Sequence, residues 1–159
     1  MPSKKRTWQE KLNDSKNLPK VEEITGRMSK KWGTGTLVIP APIEVDHLMK
    51  KVPKGKLTTI NEIRSSLAKR HKATIGCPLM TGIFALISAH AAEERKQQGM
   101  VDITPYWRTL KTGGFLNEKY PGGLEAQKSL LVHEGHVILQ KGKRYFVEDY
   151  LKAVISLDQ

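Results

Sequence analysis

"LTTINEIRSSLAKRHKATIGCPLMTGIFALISAHAAEERKQQG", Leu57 to Gly99, is the stretch that decides the fold. Thr59 is followed three residues later by Glu62, the spacing of a capping box. Ile60, Ile63 and Leu67 then recur at helical spacing, so a helix is expected to run to about Arg70. Lys69, Arg70, His71 and Lys72 suit the negative end of that helix and also offer charge to a phosphate backbone. After a short link, Pro78 fits the first position of a second helix, where its missing N–H is an orphan anyway. Leu79, Ile83, Leu86, Ile87 and Ala91 recur on one face, and Gly99 is the stop signal. Two helices joined by a short turn are consistent with a helix-turn-helix, a pattern that many helical hairpins share.

Upstream, a helix is expected from Ile43, with Val45, Leu48, Met49 and Val52 on one side and Pro53 and Gly55 ending it. Residues 1–40 are rich in Lys, Asn, Ser and Gly, with a basic tip at Lys4, Lys5 and Arg6. Trp8 to Leu12 and Val21 to Met28 each have room for a short helix. Gly33 and Gly35 break the pattern, and "VIPAP" reads as extended. Residues 1–40 are thus expected to be a partly ordered basic arm anchored by Trp8 and Trp32, and residues 41–159 the main domain.

Downstream, Met100 to Leu110 reads as a connecting loop. A helix is expected from Gly123 to Glu134, closed by Gly135. "HVILQKGKRYFVED" alternates on both sides of Lys141 and Gly142, which predicts a small hairpin with a basic tip. A last helix would carry Val147, Tyr150, Leu151, Val154 and Ile155. The expected class is mainly α with a small β-hairpin: a winged helix-turn-helix domain with an N-terminal basic arm.

The totals restrict the partners. The chain has 159 residues and a net charge of +11, which points to an anionic partner, nucleic acid or an acidic membrane surface. No apolar run reaches the roughly 18 residues needed to span a bilayer. The single cysteine, Cys77, allows no internal disulfide and fits a reducing cytoplasm. The basic N-terminus lacks the apolar segment of a secretory signal. Lys54, Lys56, Lys69, Arg70, Lys72, Lys141, Lys143 and Arg144 are the candidate phosphate contacts. Thr58, Thr59, Thr81 and Ser88 are candidates for short polar contacts, with Gly82 beside them on the second helix.

The residues advertise little catalysis. The five histidines lie apart except His133 and His136, and no second pair with zinc spacing accompanies them, so no metal is expected. No Gly-rich loop ends in Lys and Ser or Thr, and no cofactor is implied. Cys77 at a helix N-terminus has the setting of an activated thiolate. A lone cysteine beside an apolar helix is more often a small core residue, and that reading is favoured.

Three blocks carry a resemblance. "VPKGKLTTINEI" (Val52 to Ile63), "TPYWRTLKTGG" (Thr104 to Gly114) and "KYPGGLEAQKSLLVHEG" (Lys119 to Gly135) stand in the order and approximate spacing of the DNA-binding domain of alkylguanine-DNA alkyltransferases. The sequence resembles that family over roughly residues 40 to 145. The resemblance implies a helix-turn-helix that binds duplex DNA in the minor groove, flips an alkylated guanine and transfers the alkyl group to a Cys. A related branch, the alkyltransferase-like proteins, has Trp in place of that Cys and binds lesions without removing them.

Pro105 and Arg108 match the Pro-Cys-His-Arg motif, but Tyr106 and Trp107 stand at the Cys and His positions. A phenol with a reference pKa of about 10 is mostly neutral at pH 7, and Trp relays no proton. Alkyl transfer to Tyr106 is therefore rejected. Glu134 matches the acidic member of the family's relay but has no relay to complete, and Tyr120 matches a residue lining the base pocket. No Arg between Pro78 and Glu94 stands where the family has an intercalating Arg. Met80 and Ile83 are apolar alternatives.

Pro105, Tyr106, Trp107, Arg108, Tyr120 and Glu134 thus form the candidate base pocket. Either it receives a base, or Tyr106 and Trp107 fill it with their own rings. The expected function is non-enzymatic binding of duplex DNA, damaged or alkylated, by a cytoplasmic monomer that also meets repair proteins. The alternatives are a protein-interaction module that has lost DNA binding, or an enzyme with different chemistry at Cys77 or Tyr106.

Overall fold

In the computed structural model, residues 5–158 are described. They form helices α1 (Trp8–Asn13), α2 (Arg27–Trp32), α3 (Pro42–Lys50), α4 (Ile60–Arg70), α5 (Pro78–Gln97) and α6 (Gly123–His133). Seven short strands accompany them: β1 (Lys20–Glu23), β2 (Thr36–Ile39), β3 (Thr58–Thr59), β4 (Ile75–Gly76), β5 (Thr109–Leu110), β6 (Ile138–Lys141) and β7 (Arg144–Val147). Single 3-10 turns cover Tyr106–Arg108, Thr112–Gly114 and Tyr150–Lys152. The architecture is mainly helical with small sheets.

The local signals explain the helix pair. Thr59 caps α4, its hydroxyl accepting the Glu62 N–H at 3.2 Å. Pro78 opens α5, and Gly99 follows its end with φ of +88°. Behind the pair, α3 buries Val45, Leu48 and Met49, with Val52 just past its end, α4 buries Ile63 and Leu67, and α5 contributes Phe84, Ala85, Ala89 and Ala92. A second core, Leu57, Leu110, Leu116, Leu131 and Val147, joins α6 to the β6–β7 hairpin. The hairpin pairs Lys141 with Arg144 around Gly142, whose φ is +64°.

The face of α5 is a correction. Of the expected face, Ala91 is buried and Leu86 and Ile87 pack partly on the core, but Leu79 is 69% exposed and Ile83 40%, and Thr81, Phe84, Ala85, Ser88, Ala89 and Ala92 point inward. This helix is apolar nearly all round, so its periodicity has more than one solution. Packing selects the small residues, which let α3 and α5 approach closely.

Two other helices are also corrected. Lys20–Glu23, within the expected Val21 to Met28 helix, is the strand β1, antiparallel to β2 in the register Lys20↔Ile39 to Glu23↔Thr36. Gly26, at φ +61°, then turns the chain into α2. At the other end, Val147 closes β7, and Asp149 at φ +54° interrupts any continuous helix. Beyond it the backbone pairs with Leu57 instead, Leu57 N–H donating to Ala153 at 2.9 Å and Ile155 N–H to Leu57 at 3.0 Å.

The N-terminal residues are tied to the helices. Trp8 stacks on His90 of α5 at 4.5 Å between centroids, and Leu12 is fully buried. The Glu94 carboxylate of α5 accepts the backbone N–H groups of Trp8 at 3.1 Å and Gln9 at 2.9 Å, filling two orphan donors of α1. In the sheet β1-β2-β4, β2 runs parallel to β4, with Leu37 opposite Ile75 and Val38 opposite Gly76. Of the expected basic tip, Lys4 lies outside the described residues. Arg6 pairs with Asp14 at 2.8 Å.

Candidate nucleic-acid interface and aromatic cluster

Pro105 precedes the 3-10 turn that carries Tyr106, Trp107 and Arg108, and β5 follows it, paired in parallel with β3 just before α4. This places the "PYWR" segment between the helix pair and α6. Tyr106 turns inward and is 4% exposed, and Tyr120 is 2% exposed. Their rings meet edge to face at 5.4 Å, and Tyr106 meets Trp107 in the same way at 5.3 Å. The Tyr120 hydroxyl donates to the Thr109 carbonyl at 3.1 Å. Burial, with the nearby Glu93 carboxylate, pushes the Tyr106 phenol up to about 12. Burial, with Tyr106 alongside, raises Tyr120 as well. The Tyr106 ring packs into the core with its neighbours.

Glu134 is the polar centre of the site. Its carboxylate accepts Arg108 Nη2 at 2.7 Å and Nε at 2.9 and 3.1 Å, Trp107 Nε1 at 3.0 Å and the Gly55 N–H at 3.3 Å. Arg108 Nη1 reaches the Val52 carbonyl at 2.8 Å. Desolvation works to raise the Glu134 carboxyl. The hydrogen bonds from Arg108, Trp107 and Gly55 outweigh it and hold the group below the usual carboxylate range. Gly55 and Val52 are members of this node that residue types alone do not single out. Nothing in a sequence marks a backbone N–H or carbonyl as a partner.

Trp107 is half-buried, with open space beside it. A groove of about 610 Å³ runs along Val52, Pro53, Val101, Pro105, Trp107 and Arg108. A smaller, apolar hollow of about 250 Å³ lies against Tyr106 and Trp107, walled by Met100, Val101, Ile103 and Leu130. The candidate pocket residues are therefore brought together, but they split into a filled part around Tyr106 and Tyr120 and an open part beside Trp107.

The candidate polar contacts fall otherwise. Thr58, Thr59, Thr81 and Ser88 are buried. Thr81 Oγ1 donates to the Cys77 carbonyl at 2.6 Å, and Ser88 Oγ to Asp46 Oδ1 at 2.6 Å, where Thr104 Oγ1 also donates at 2.7 Å. Thr59 is the α4 cap, and Thr58 sits in β3. The hydroxyls of Thr59, Thr81 and Ser88 are spent inside the fold, and that of Thr58 is buried without a hydrogen-bond partner among the described residues. Gly82 has open space where a Cβ would project.

The candidate cations are exposed. Lys69 is bound by Asp158 at 2.5 Å and Arg70 by Glu44 at 3.4 Å. Arg144 lies over the Phe115 ring at 3.5 Å. Lys54, Lys56, Lys72, Lys141 and Lys143 form no ion pair among the described residues. Cys77 is buried beside Ile24 and Leu37. No cluster of metal-ligating side chains occurs among the described residues, and no helix is long and apolar enough to cross a membrane.

No family model and no curated protein matches the sequence. Among solved structures, the chain is similar to S. pombe Atl1, crystallised in complex with damaged DNA containing O6-carboxymethylguanine. The TM-score is 0.52 at 20% identity, and the likeness covers 72% of this chain and 94% of that one. The likeness shows the fold, which is of the alkyltransferase-like type.

Proposed function

We propose that this chain is a non-enzymatic DNA-binding protein that recognises damaged or alkylated duplex. The reading is carried by its fold, shared with a protein whose crystal structure holds damaged DNA. The net charge of +11 supports an anionic partner. In this reading α4 and α5 act as a helix-turn-helix and β6–β7 as its wing. Lys54, Lys56, Lys72, Lys141 and Lys143 are the phosphate contacts, and Lys69 and Arg70 join them only by releasing Asp158 and Glu44. An extrahelical base stacks on Trp107 in the open groove rather than entering the space that Tyr106 occupies.

The burial of both candidate nucleophiles, Tyr106 and Cys77, supports the non-enzymatic part. Tyr106 is buried and its phenol neutral near pH 7, whereas alkyl transfer needs an exposed, ionisable group. Cys77 is buried in a small apolar cluster. The chain works as a monomer in a reducing cytoplasm, alongside repair proteins, with residues 1–40 serving as an arm on the domain of residues 41–159. Titration of a labelled duplex at low and at moderate salt tests the reading. Binding that weakens with salt is expected, and no binding at low salt overturns it.

A further inference from the structure

The turn between α4 and α5 is built with residues from the N-terminal segment. Thr36 and Thr74 exchange bonds, Thr36 N–H to Thr74 Oγ1 at 3.0 Å and Thr74 N–H to the Thr36 hydroxyl and carbonyl at 3.1 and 3.0 Å. Cys77 N–H continues the ladder to the Val38 carbonyl at 2.9 Å. A Cβ at Gly76 would come within 2.7 Å of the Arg64 carbonyl, so glycine lets β4 lie directly on α4. These contacts hold α2 and its last residue, Trp32, against the helix pair.

Trp32 gathers two cations. Arg64 Cζ and Lys31 Nζ each lie 5.1 Å from the centroid of its ring. Arg64 is fixed by Nε on the Gly76 carbonyl at 2.9 Å and Nη1 on Asn61 Oδ1 at 3.2 Å, which leaves Nη2 unspent. Neither Arg64 nor Lys31 meets a carboxylate among the described residues. Two like charges are thus held around one indole without a counter-charge. Beside them a groove of about 230 Å³ between α4 and β4 presents Asn61, Arg64, Ser65 and Thr74 and contains no acidic residue. Polar donors, an oriented guanidinium and a nearby ammonium are the chemistry that holds a phosphate.

We propose that this groove, completed by Lys31 and Trp32 of the N-terminal segment, binds a phosphodiester of the DNA backbone. The proposal rests on the DNA-binding reading above. It makes the N-terminal segment part of the interface and adds a contact beside α4 and β4.

The test measures affinity for a short labelled duplex across a salt series, for the wild type, Lys31→Gln, the double variant Lys31→Gln/Arg64→Gln, and Lys16→Gln as an exposed lysine outside the groove. One phosphate contact contributes about 0.9 to the slope of log K against log salt. The double variant is expected to lose about 1 from that slope. Lys31→Gln alone is expected to lower affinity severalfold, and Lys16→Gln to leave both unchanged. Lys31 is exposed, so its single variant keeps the test valid even if the loss of Arg64 disturbs the turn. Wild-type binding with an unchanged slope and affinity in Lys31→Gln and the double variant overturns this proposal and leaves the DNA-binding reading standing. No wild-type binding at low salt overturns that reading, and this proposal with it.

Discussion

Arg108 and Glu134 are joined side-on, with Nε and Nη2 of one guanidinium edge on the two oxygens of one carboxylate at 2.7 to 3.1 Å. Both side chains are largely buried, and the pair also holds Val52, Gly55 and Trp107. Breaking a buried pair leaves an uncompensated charge. Arg108→Met is therefore expected to cost about 3–5 kcal/mol, read by denaturant unfolding. Glu134→Gln should cost less, since an amide still accepts one of the bonds. Glu134→Gln should also alter Trp107 fluorescence, because the indole N–H loses its charged acceptor.

The same carboxylate predicts an acid sensitivity. Its folded value lies below the unfolded one of about 4.3, so its stabilisation is present above that pH and is lost as pH falls through the folded value. Melting temperatures between about pH 3 and about pH 7 should fall more steeply towards acid in the wild type than in Glu134→Gln. Equal slopes would show that the group is not coupled to folding.

Tyr106 and Tyr120 should resist ionisation. Of the four tyrosines, these two are buried with raised phenol values, Tyr106 to about 12. A spectroscopic titration of the native protein should show a fraction of the phenols ionising only well above about 10. Sign follows: stability from the neutral phenols is complete below the unfolded value and disappears as pH rises through the folded ones. Tyr106→Ala should cost about 3–5 kcal/mol by leaving a cavity, while Tyr106→Phe keeps the ring and should cost under about 1.5 kcal/mol.

The burial pattern of α5 separates two sets of substitutions. Leu79→Ser, at an exposed position, should change stability by less than about 0.5 kcal/mol. Ser88→Ala should cost about 1–3 kcal/mol, since it takes one donor from the buried Asp46 carboxylate. The reverse ranking would mean that the helix presents its other face to the core.

Much of the helical frame was legible because its signals are local. Thr59 and Glu62 mark the start of α4, Pro78 the start of α5, and Lys141–Gly142 the hairpin. The face of α5 was not legible, because Leu79, Ile83, Phe84 and the alanines make it apolar all round and only packing against α3 decides. The strand at Lys20–Glu23 was missed since its partner, β2, is a tertiary choice. In the site, the aromatic residues and Glu134 were readable as a group. That Tyr106 turns inward while Trp107 keeps an open side was not, because one residue of rotation in a 3-10 turn separates the two outcomes. The hydroxyls of Thr81 and Ser88 illustrate the same limit: residue type offers a hydrogen bond but not its direction.

The central claim is tested most directly with an alkylguanine-containing duplex, by following complex formation and then the intact mass of the protein. The account predicts a salt-sensitive complex, tighter than with plain duplex, and a protein mass that does not change. A mass increase by the alkyl group, or no complex at low salt, would contradict it.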